Sequence, residues 1–343
     1  MKNTKPHSYV FTDPKPLREY TDEEIQELIW YTKIELRPNV FTQSFFEHKN
    51  ADEQVYPISL IRHLLKNIHL QNRHKCLDFG TMNGILPVLV AKKGCKVLTQ
   101  DVMSEYYGTV ELVKQAYGVD FEYVYGNSIY DLKLERKKET FDLVLFCGIM
   151  YHLINPIMEL AIARSFLKPG GLMIIETIAR SSSKCSIDFN EVVGSVSVPS
   201  TCFLEKMCRI LSLKPIDAVY IGDPANTQGR IAFICRAVTF PAIDFNNEHE
   251  KGLWWNIVGK LPFAQVNKEP IINEKMFYNN APIEDYLDYD LSNAVNLMPE
   301  SPQHNSSNLS HDAGINLTKT IQTQPNGNLF VKPKEILRLS DCW

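Results

Sequence analysis

The feature of the sequence that most constrains its fold is an alternation of short apolar runs with helical stretches, which begins at Lys75. Runs of β-branched and aromatic residues predict strands, and the longer stretches between them predict helices. The predicted strands are 75–79, 96–100, 121–125, 141–146 and 171–176, and the predicted helices are 84–93, 104–117 and 156–167. Strands that alternate with helices form a parallel sheet covered on both faces, and nearly continuous apolar strands agree with burial from both sides. The sequence therefore predicts the α/β class.

Two further apolar runs, 215–221 and 230–237, close the predicted sheet. Only residues 222–229 separate them, which is too short for a right-handed helical crossover, so the two strands are predicted to be antiparallel. The whole pattern predicts a Rossmann-like, seven-stranded mixed sheet with the last strand antiparallel. A plain dinucleotide-binding sheet does not end in this way, which disfavours a dehydrogenase.

The regions outside the sheet predict three parts of the chain. Thr21 followed by Glu24 is a helix-start signature, and the apolar spacing after it predicts a helix over 21–36, with a second helix over 57–68. We predict an N-terminal helical lid over 1–70, the Rossmann-like domain over 71–240, and a C-terminal extension over 241–343. The extension is predicted to be partly flexible because its middle is rich in Asn, Ser, Gln and Pro.

Composition limits the classes of partner. The net charge of −4 gives no broad attraction to phosphate backbones or anionic lipid, so a nucleic-acid partner is not favoured and would need a local basic patch. No apolar stretch is long enough to span a membrane, and the first residues do not resemble a secretion signal, which predicts a cytoplasmic protein. The eight cysteines show no paired spacing and are predicted to be reduced and buried, without a metal. A homodimer is compatible with the sequence.

A glycine-containing turn follows the first predicted strand of the sheet. The residues predicted to contact a cofactor there are Asp78, Gly80, Thr81, Asn83 and Gly84. Glycines allow a ligand to lie against backbone amides, and a helix N-terminus favours a carboxylate. Asp78 is placed to hold an ammonium group, directly or through water. Taken alone, this spacing is equally compatible with an ordinary turn.

The ends of the second and third predicted strands make the turn more specific. Asp101 ends the second strand, where a carboxylate can accept hydrogen bonds from both ribose hydroxyls of an adenosine, with Val102 beside it. Asn127 and Ser128 end the third strand and are predicted to meet the adenine edge. The alternatives are that Asp101 caps the next helix and that Asn127 and Ser128 only form a turn.

The fourth predicted strand and its continuation carry a family resemblance. The motifs are Phe141-Asp142 with Val144, Tyr151-His152-Leu153, and the turn Leu167-Lys168-Pro169-Gly170-Gly171. They resemble class I S-adenosylmethionine-dependent methyltransferases over roughly residues 30 to 238. The resemblance implies S-adenosyl-L-methionine as cofactor, with Cys147 and Gly148 in its binding site.

Narrower motifs are similar to the tRNA wobble-uridine (carboxy)methyltransferase-like family. They are Gly148 to His152 followed by Asn155-Pro156, and Ile174-Ile175-Glu176-Thr177. In that family the tyrosine matching Tyr151 helps to hold the extra carboxylate of a carboxylated cofactor. Here such a role would need a basic partner, for which Arg37 and Arg230 are the candidates. Without a firm match for either, ordinary methyl transfer is favoured over carboxymethyl transfer.

One position departs from the superfamily pattern. The glycine turn usually reads Asp-x-Gly-x-Gly-x-Gly, but Met82 replaces the middle glycine here. Its side chain narrows the room beside the methionine portion of the cofactor, and we expect binding to persist through an altered backbone path. The alternative is a lapsed site in a non-catalytic, methyltransferase-like scaffold.

Methyl transfer asks mainly for alignment of nucleophile, methyl group and sulfur, and it needs a base only when the acceptor arrives protonated. The predicted catalytic residues are His152, Tyr151 and Glu176, because each lies at the carboxyl end of a strand, where ligands bind in such sheets. His152 is the candidate base. The alternatives are a structural imidazole for His152, a packing aromatic for Tyr151 and an orienting group for Glu176.

The segments before the first strand and after the fifth predict substrate contacts. Tyr31, Phe41 and Gln43 are candidate walls that exclude water, and Asn190 in segment 181–200 is a candidate for substrate contact. The alternative for the first three is a helix and loop that merely cap the sheet. Together these residues predict a methyltransferase that acts on an O or N nucleophile of a small molecule, with a tRNA-modifying enzyme as the alternative within enzymes.

Overall fold

The structure is a computed structural model that describes residues 15–31, 33–42, 57–129, 141–192, 195–221 and 229–237. The predicted C-terminal extension, 241–343, and Gln43 lie outside these ranges. The helices are α1 (Asp22–Glu27), α2 (Pro57–Lys66), α3 (Ile85–Lys92), α4 (Tyr107–Tyr117), α5 (Pro156–Ser165) and α6 (Thr201–Ile210). The strands are β1 (Glu35–Arg37), β2 (Val40–Phe41), β3 (Lys75–Phe79), β4 (Lys96–Asp101), β5 (Glu122–Tyr125), β6 (Phe141–Cys147), β7 (Leu167–Ala179), β8 (Ile187–Val192), β9 (Ser195–Pro199), β10 (Leu213–Ile221) and β11 (Gly229–Ala237).

The central sheet has seven strands in the order β10-β11-β7-β6-β3-β4-β5. Strands β3 to β7 pair in parallel, whereas β11 runs antiparallel to both of its neighbours, β7 and β10. The predicted Rossmann-like mixed sheet with an antiparallel last strand is therefore confirmed. Strand β7 is longer than predicted because the turn that precedes it continues the pairing.

Both faces of the sheet are covered by apolar side chains. Every residue of β6 is buried, and its side chains alternate between two separate apolar clusters. Leu143 and Leu145 join the cluster formed with α2, α3 and α4, while Val144 and Phe146 join the cluster formed with α5 and α6. Burial on two faces explains why the strand sequence from Leu143 to Cys147 is apolar rather than alternating.

The predicted helix over 21–36 is wrong beyond its first turns. The capping box is present, since the Glu24 amide donates to the Thr21 hydroxyl at 3.2 Å and the Thr21 amide donates to the Glu24 carboxylate at 2.7 Å. The helix nevertheless ends at Glu27, and Glu35–Arg37 forms a strand instead. Trp30 turns into the core and donates its indole N–H to the Ile25 carbonyl at 2.6 Å. Burial of this side chain overrides the local helical spacing.

The described N-terminal residues share one apolar core with the sheet. Leu17, Ile25, Trp30, Ile34 and Leu36 belong to the same cluster as the inner faces of α2, α3 and α4. The segment is therefore packed onto one face of the sheet along its length. Among the described residues, no helix combines the length and apolar character needed to cross a bilayer.

Segment 181–200 forms an antiparallel hairpin of β8 and β9, which the sequence did not predict. Strand β9 packs beside the short helical turn Met150–His152 that follows β6. The hairpin therefore borders the carboxyl edge of the sheet at the Tyr151 and His152 positions.

Candidate active site

The parallel strands bring their carboxyl ends to one edge of the sheet. The amide of Gly80 donates to the carbonyl of Gln100 at 2.9 Å, so the turn after β3 is tied to the end of β4. On the other side, the amide of Gly148 donates to the carbonyl of Glu176 at 3.0 Å, which ties the end of β6 to β7. The residues predicted at these strand ends therefore meet along one edge, where open α/β sheets bind ligands.

The turn between β3 and α3 needs glycine at its two outer positions. Gly80 has a φ of 77°, and a Cβ added there would lie 2.3 Å from Cγ2 of Ile149. Gly84 has a φ of 83° and caps the N-terminus of α3. Glycine at these two positions therefore allows the left-handed backbone of the turn, and at position 80 it also allows close packing against Ile149.

Met82 occupies the middle of this turn in a left-handed conformation, with a φ of 48°. This is the region that favours glycine, so the turn keeps a glycine-like path at this residue instead of the altered path expected from the sequence. The amide of Met82 donates to Oδ2 of Asp101 at 2.7 Å. The methionine therefore strains the turn without displacing its hydrogen bond to β4.

Asp101 is buried, with 4% of its surface exposed, and links two loops. Its Oδ2 accepts from the amide of Met82, and its Oδ1 accepts from the amide of Met103 at 2.9 Å. Burial raises the pKa of this carboxyl, while the backbone amides around it act in the opposite direction. A carboxylate has about four lone-pair positions, so each oxygen can still accept a second hydrogen bond. The structure does not place Asp101 as the cap of α4, which begins at Tyr107.

Asp78 lies beneath the turn, fully buried. The Thr99 hydroxyl donates to its Oδ2 at 2.8 Å, and the Thr81 hydroxyl lies beside the carboxyl. Oδ1 of Asp78 has no hydrogen-bond partner among the described residues. Burial raises the pKa of Asp78 to about 7. A buried carboxylate oxygen without a donor fits a cationic or N–H-bearing ligand group, because pairing with such a group would offset its desolvation.

Asn83 has a role that sequence reasoning missed. Its Oδ1 accepts from the amide of Tyr31 at 2.6 Å, and its Nδ2 donates to the carbonyl of Ile29 at 3.2 Å and to the hydroxyl of Thr109 at 2.9 Å. The side-chain amide therefore fastens the N-terminal segment to the glycine turn and to α4. The side-chain bonds give Asn83 a structural role in addition to its predicted place at the cofactor turn.

The other predicted cofactor residues differ in accessibility. Val102 is 57% exposed directly after Asp101, so its side chain lies open at the sheet edge. Nδ2 of Asn127 donates to the carbonyl of Tyr125 at 3.0 Å and shapes the turn after β5, next to Ser128. Cys147 is buried, and burial raises the pKa of its thiol well above the usual value, which removes it as a nucleophile.

Glu176 is a buried partner of Arg230 from the neighbouring strand β11. Nε of Arg230 donates to Oε1 of Glu176 at 2.7 Å and Nη2 donates to Oε2 at 2.9 Å, which is a bidentate pair. Burial raises the pKa of Glu176 and the guanidinium opposes that shift. The carboxylate is fully enclosed, so the geometry agrees with the orienting role for Glu176 and corrects its prediction as a residue in contact with the reacting atoms.

Arg230 connects this pair to the Tyr151 and His152 turn. Its Cζ lies 5.2 Å from the centre of the Tyr151 ring, so the guanidinium stands over the face of that ring. Burial alone would lower the pKa of Arg230, but the Glu176 carboxylate raises it above the usual value, so the guanidinium stays charged. Sequence reasoning named Arg230 only as one of two candidate partners for Tyr151, because the register of β11 on β7 cannot be read from the chain.

His152 lies at the open side of this cluster. Its ring packs on Tyr151 with centroids 4.2 Å apart, while the residue as a whole is exposed. Packing of the ring against the protein lowers the pKa of His152, and the positive charge of Arg230 lowers it further. The imidazole is therefore neutral at pH 7 and can accept a proton.

Three of the four predicted substrate residues are described, and they belong to different parts of the fold. Tyr31 lies beside the glycine turn through its bond to Asn83, and Asn190 is exposed on β8 of the hairpin. Phe41 pairs with Glu35, whose carbonyl accepts from the hydroxyl of Tyr117 at the last residue of α4. Phe41 therefore lies near the C-terminal end of α4, whereas the candidate site lies near its N-terminal end, which follows β4. This position disagrees with the prediction that Phe41 forms a wall of the site. Gln43 lies outside the described residues.

The fold and the sheet edge define a class of protein. A seven-stranded sheet with β11 inserted antiparallel, a glycine turn after β3 and an acidic residue ending β4 form the frame of a class I S-adenosylmethionine-dependent methyltransferase domain. Residues 48–218 match the family model described as "Methyltransferase domain". The central part of the chain is therefore a domain of this class.

Curated relatives with a printed activity match part of this domain. The chain is 31% identical over 108 residues to a ubiquinone biosynthesis O-methyltransferase of Maricaulis maris, covering 32% of this chain and 42% of that protein. It is 29% identical over 128 residues to the ubiquinone biosynthesis O-methyltransferase of Aliivibrio fischeri, covering 37% of this chain and 53% of that protein. The chain thus spans about half the length of these relatives. Among solved structures, it is similar to the N-terminal domain of EvdMO1 in the presence of SAH and D-fucose, with 15% identity, a TM-score of 0.47, and coverage of 64% of this chain and 95% of that one.

Proposed function

We propose that this protein is an S-adenosylmethionine-dependent methyltransferase that transfers a methyl group to an O or N nucleophile of a small molecule. The observation that carries the proposal is the pair of buried carboxylates at the glycine turn. Oδ1 of Asp78 has no partner among the described residues, and Asp101 retains acceptor capacity beside it. Two such carboxylates suit the ammonium group and the ribose hydroxyls of one nucleoside ligand.

The cofactor, when bound, supplies a methyl group that is already activated on a sulfonium sulfur. Asp78 would hold its ammonium group, Asp101 would accept its ribose hydroxyls, and Val102 offers an apolar surface for the adenine. Gly148 adds no side chain at the end of β6, where a Cβ would lie 3.9 Å from Oε2 of Glu176 and 4.0 Å from the Tyr151 hydroxyl. Met82 restricts the room at the turn, and its amide takes one acceptor position on Oδ2 of Asp101.

The acceptor side of the site is formed by Tyr151 and His152. A neutral His152 accepts the proton that a hydroxyl or protonated amine loses as it attacks, and its partial exposure gives that proton a route to solvent. Arg230 and Glu176 fix the Tyr151 ring against which His152 packs. Acceleration then comes mainly from alignment of the acceptor with the methyl group, with His152 needed only for protonated acceptors.

The charge balance around Arg230 favours methyl transfer over carboxymethyl transfer. Two of its nitrogens bond the Glu176 carboxylate, so its positive charge is already compensated. Arg37, the other candidate, donates to Asp22 and to the carbonyls of Leu17 and Tyr20 in the N-terminal segment. Neither guanidinium therefore offers an uncompensated charge that could bind the extra carboxylate of a carboxylated cofactor. The tRNA-modifying alternative therefore rests on motif likeness alone, and the small-molecule reading agrees with the net charge of −4 and with the names of the curated relatives.

Isothermal titration calorimetry of S-adenosylmethionine and S-adenosylhomocysteine tests the proposal. We expect binding to the wild type, with an affinity at least about tenfold weaker for Asp101→Ala, because hydrogen bonds to a charged acceptor contribute about 1.5–3 kcal/mol each. Asp120→Ala is the matched control, since the Asp120 side chain is 93% exposed and, among the ion pairs seen in the described part of the chain, pairs only with Lys114. No heat with millimolar cofactor would overturn the proposal and support a non-catalytic scaffold.

A filter-binding measurement at low salt distinguishes the acceptor classes. A small-molecule enzyme with this charge is expected not to retain tRNA. Retention that falls steeply with added salt would move the proposal to a tRNA substrate.

A further inference from the structure

Two cysteines differ from the others among the described residues. Cys185 is exposed and Cys202 is half-buried, whereas the remaining described cysteines, Cys76, Cys95, Cys147, Cys208 and Cys235, are buried. The Cys185 side chain lies close enough to Cys202 to contribute to the raised pKa of the Cys202 thiol. The expectation that the cysteines are buried small hydrophobes therefore fails for this pair.

The backbone on both sides of the pair holds the two thiols opposite each other. The amide of Cys202 donates to the carbonyl of Ser182 at 3.3 Å. The amide of Ser200 donates to the carbonyl of Ser186 at 2.8 Å, and the amide of Ser186 donates to the hydroxyl of Ser200 at 3.1 Å. These bonds flank Cys185 on one segment and Cys202 on the other, so the proximity of the thiols is set by the chain path.

We propose that Cys185 and Cys202 are a reversible thiol–disulfide site whose reactant is a low-molecular-weight disulfide. The Cys185 thiolate attacks one sulfur of that disulfide and releases one small thiolate, which forms a mixed disulfide. The Cys202 thiolate then attacks the Cys185 sulfur and releases the second small thiol. The two cysteines are oxidised, the small disulfide is reduced to two thiols, and the two cysteine protons are transferred to them.

The order of attack follows from accessibility. Cys185 is exposed and meets a dissolved reagent first, whereas Cys202 is partly covered as the second residue of α6. Burial and the neighbouring Cys185 raise the pKa of Cys202, and the charge of Lys206 one helical turn later opposes this shift. Cys202 therefore suits the second step, in which its thiolate attacks only the mixed disulfide on the neighbouring Cys185.

The disulfide would fasten the hairpin of β8 and β9 at its base. Cys185 precedes β8 and Cys202 follows β9, so the new bond closes a loop that contains the whole hairpin. Arg180 already pairs with Asp188 across the same base, and β9 packs beside the Met150–His152 turn. Oxidation would therefore restrain the chain segment that borders the proposed acceptor side, whether or not the chain is a methyltransferase.

The test uses the full chain carrying Cys342→Ser, incubated with glutathione disulfide and analysed by non-reducing peptide mapping. We expect one intramolecular disulfide joining residues 185 and 202, reversal by dithiothreitol, and an increase in Tm of about 5 °C from closing a loop of this length. Amides of 187–199 are expected to exchange more slowly with deuterium in the oxidised protein. Recovery of Cys185 only as a lasting glutathione adduct would overturn the proposal.

Two controls make the result specific. Cys202→Ser is expected to retain the glutathione adduct on Cys185 and to lose both the disulfide and the Tm increase. The pair Cys208 and Cys235 is also in side-chain contact, but both residues are fully buried, so it is expected to stay reduced under the same conditions. Equal oxidation of this buried pair would show that the protein unfolds in the reagent, and would contradict a site at 185 and 202.

Discussion

At the scale of single residues, Asp78 links the candidate site to pH. Its pKa is about 7 in the folded protein and 3.8 in the unfolded chain, so between these values the folded state holds a proton that unfolding releases. Stability therefore falls as pH rises from about 4 to about 7 and then levels off. Between pH 5 and pH 8, we expect the wild type to lose about 3 kcal/mol more of its unfolding free energy than Asp78→Asn does.

Urea denaturation at the two pH values measures this difference. Asp120→Asn is the control, because Lys114 lowers the pKa of Asp120 and keeps it ionised throughout the range. A variant with Asn at position 78 that retains the full pH dependence would show that another group is responsible.

The buried ion pair gives a second prediction at this scale. Arg230→Met leaves the carboxylate of Glu176 buried without its cation, and we expect a loss of about 3–5 kcal/mol in unfolding free energy. The double variant Glu176→Gln, Arg230→Met should be less destabilised, because no charge is then left unpaired. Chemical denaturation of the wild type, Glu176→Gln, Arg230→Met and the double variant yields the coupling energy.

The helical pair of Arg209 and Glu205 is the matched control for this cycle. It has similar atom-to-atom distances but greater exposure, so Arg209→Met should lose no more than about 1 kcal/mol. Similar losses at positions 209 and 230 would contradict the argument from burial.

At the scale of elements, the turn between β3 and α3 carries measurable strain. Met82 has a φ of 48°, a conformation that is unfavourable by about 1–2 kcal/mol for a residue with a Cβ. Met82→Gly should therefore raise the unfolding free energy by about 1 kcal/mol. Met103→Gly is the control, because Met103 has a φ of −88° and its backbone is not strained. Glycine at this position only increases the conformational entropy of the unfolded chain, so it should not stabilise the protein. A loss of stability in Met82→Gly would indicate that the methionine side chain stabilises the turn.

The elements that could be predicted were those in which local pattern and burial agree. Strand β6 is apolar at every position except Asp142 and is buried on both faces, so its sequence alone identified it. The helix over 21–36 could not be delimited, because the burial of Trp30 is a tertiary effect that the local spacing does not contain. The hairpin of β8 and β9 was missed because Ser-rich strands lack the apolar alternation that marks a half-buried sheet.

The site was predictable only where residues follow strand ends. The position of Asp78, Asp101 and Gly148 at one edge of the sheet could be predicted because parallel strands share a carboxyl edge. The bond between Asn83 and the segment 29–31 and the pairing of Glu176 with Arg230 join residues more than 50 positions apart. Such contacts depend on packing and register, which spacing along one sequence does not encode.

At the scale of the whole molecule, Asn83 connects three parts of the chain. Its amide bonds the carbonyl of Ile29, the amide of Tyr31 and the hydroxyl of Thr109. Asn83→Ala removes all three bonds and leaves buried partners unsatisfied, so we expect a loss of about 2–3 kcal/mol. In hydrogen-exchange mass spectrometry of Asn83→Ala, the exchange rate of the amides of 29–36 should increase more, relative to the wild type, than that of the amides of β6.

Asn127→Ala is the matched control for this prediction. Its side chain shapes a turn through one local bond to Tyr125, so its removal should leave the exchange of 29–36 unchanged. Unaltered exchange in Asn83→Ala would show that the apolar packing of Trp30 alone holds the segment.

The position of β11 has a consequence for the order in which the molecule is made. The strand is synthesised last among the described elements, yet it is inserted between β7 and β10, and it supplies the guanidinium that neutralises Glu176. A nascent chain that has emerged only as far as β10 holds an uncompensated carboxylate in the middle of its sheet, with an open strand edge on either side of the vacant place. The contact of Arg230 with Glu176 and Tyr151 can therefore form only after residue 230 has left the ribosome. A chain that terminates before residue 230 lacks this contact, although it already contains the glycine turn.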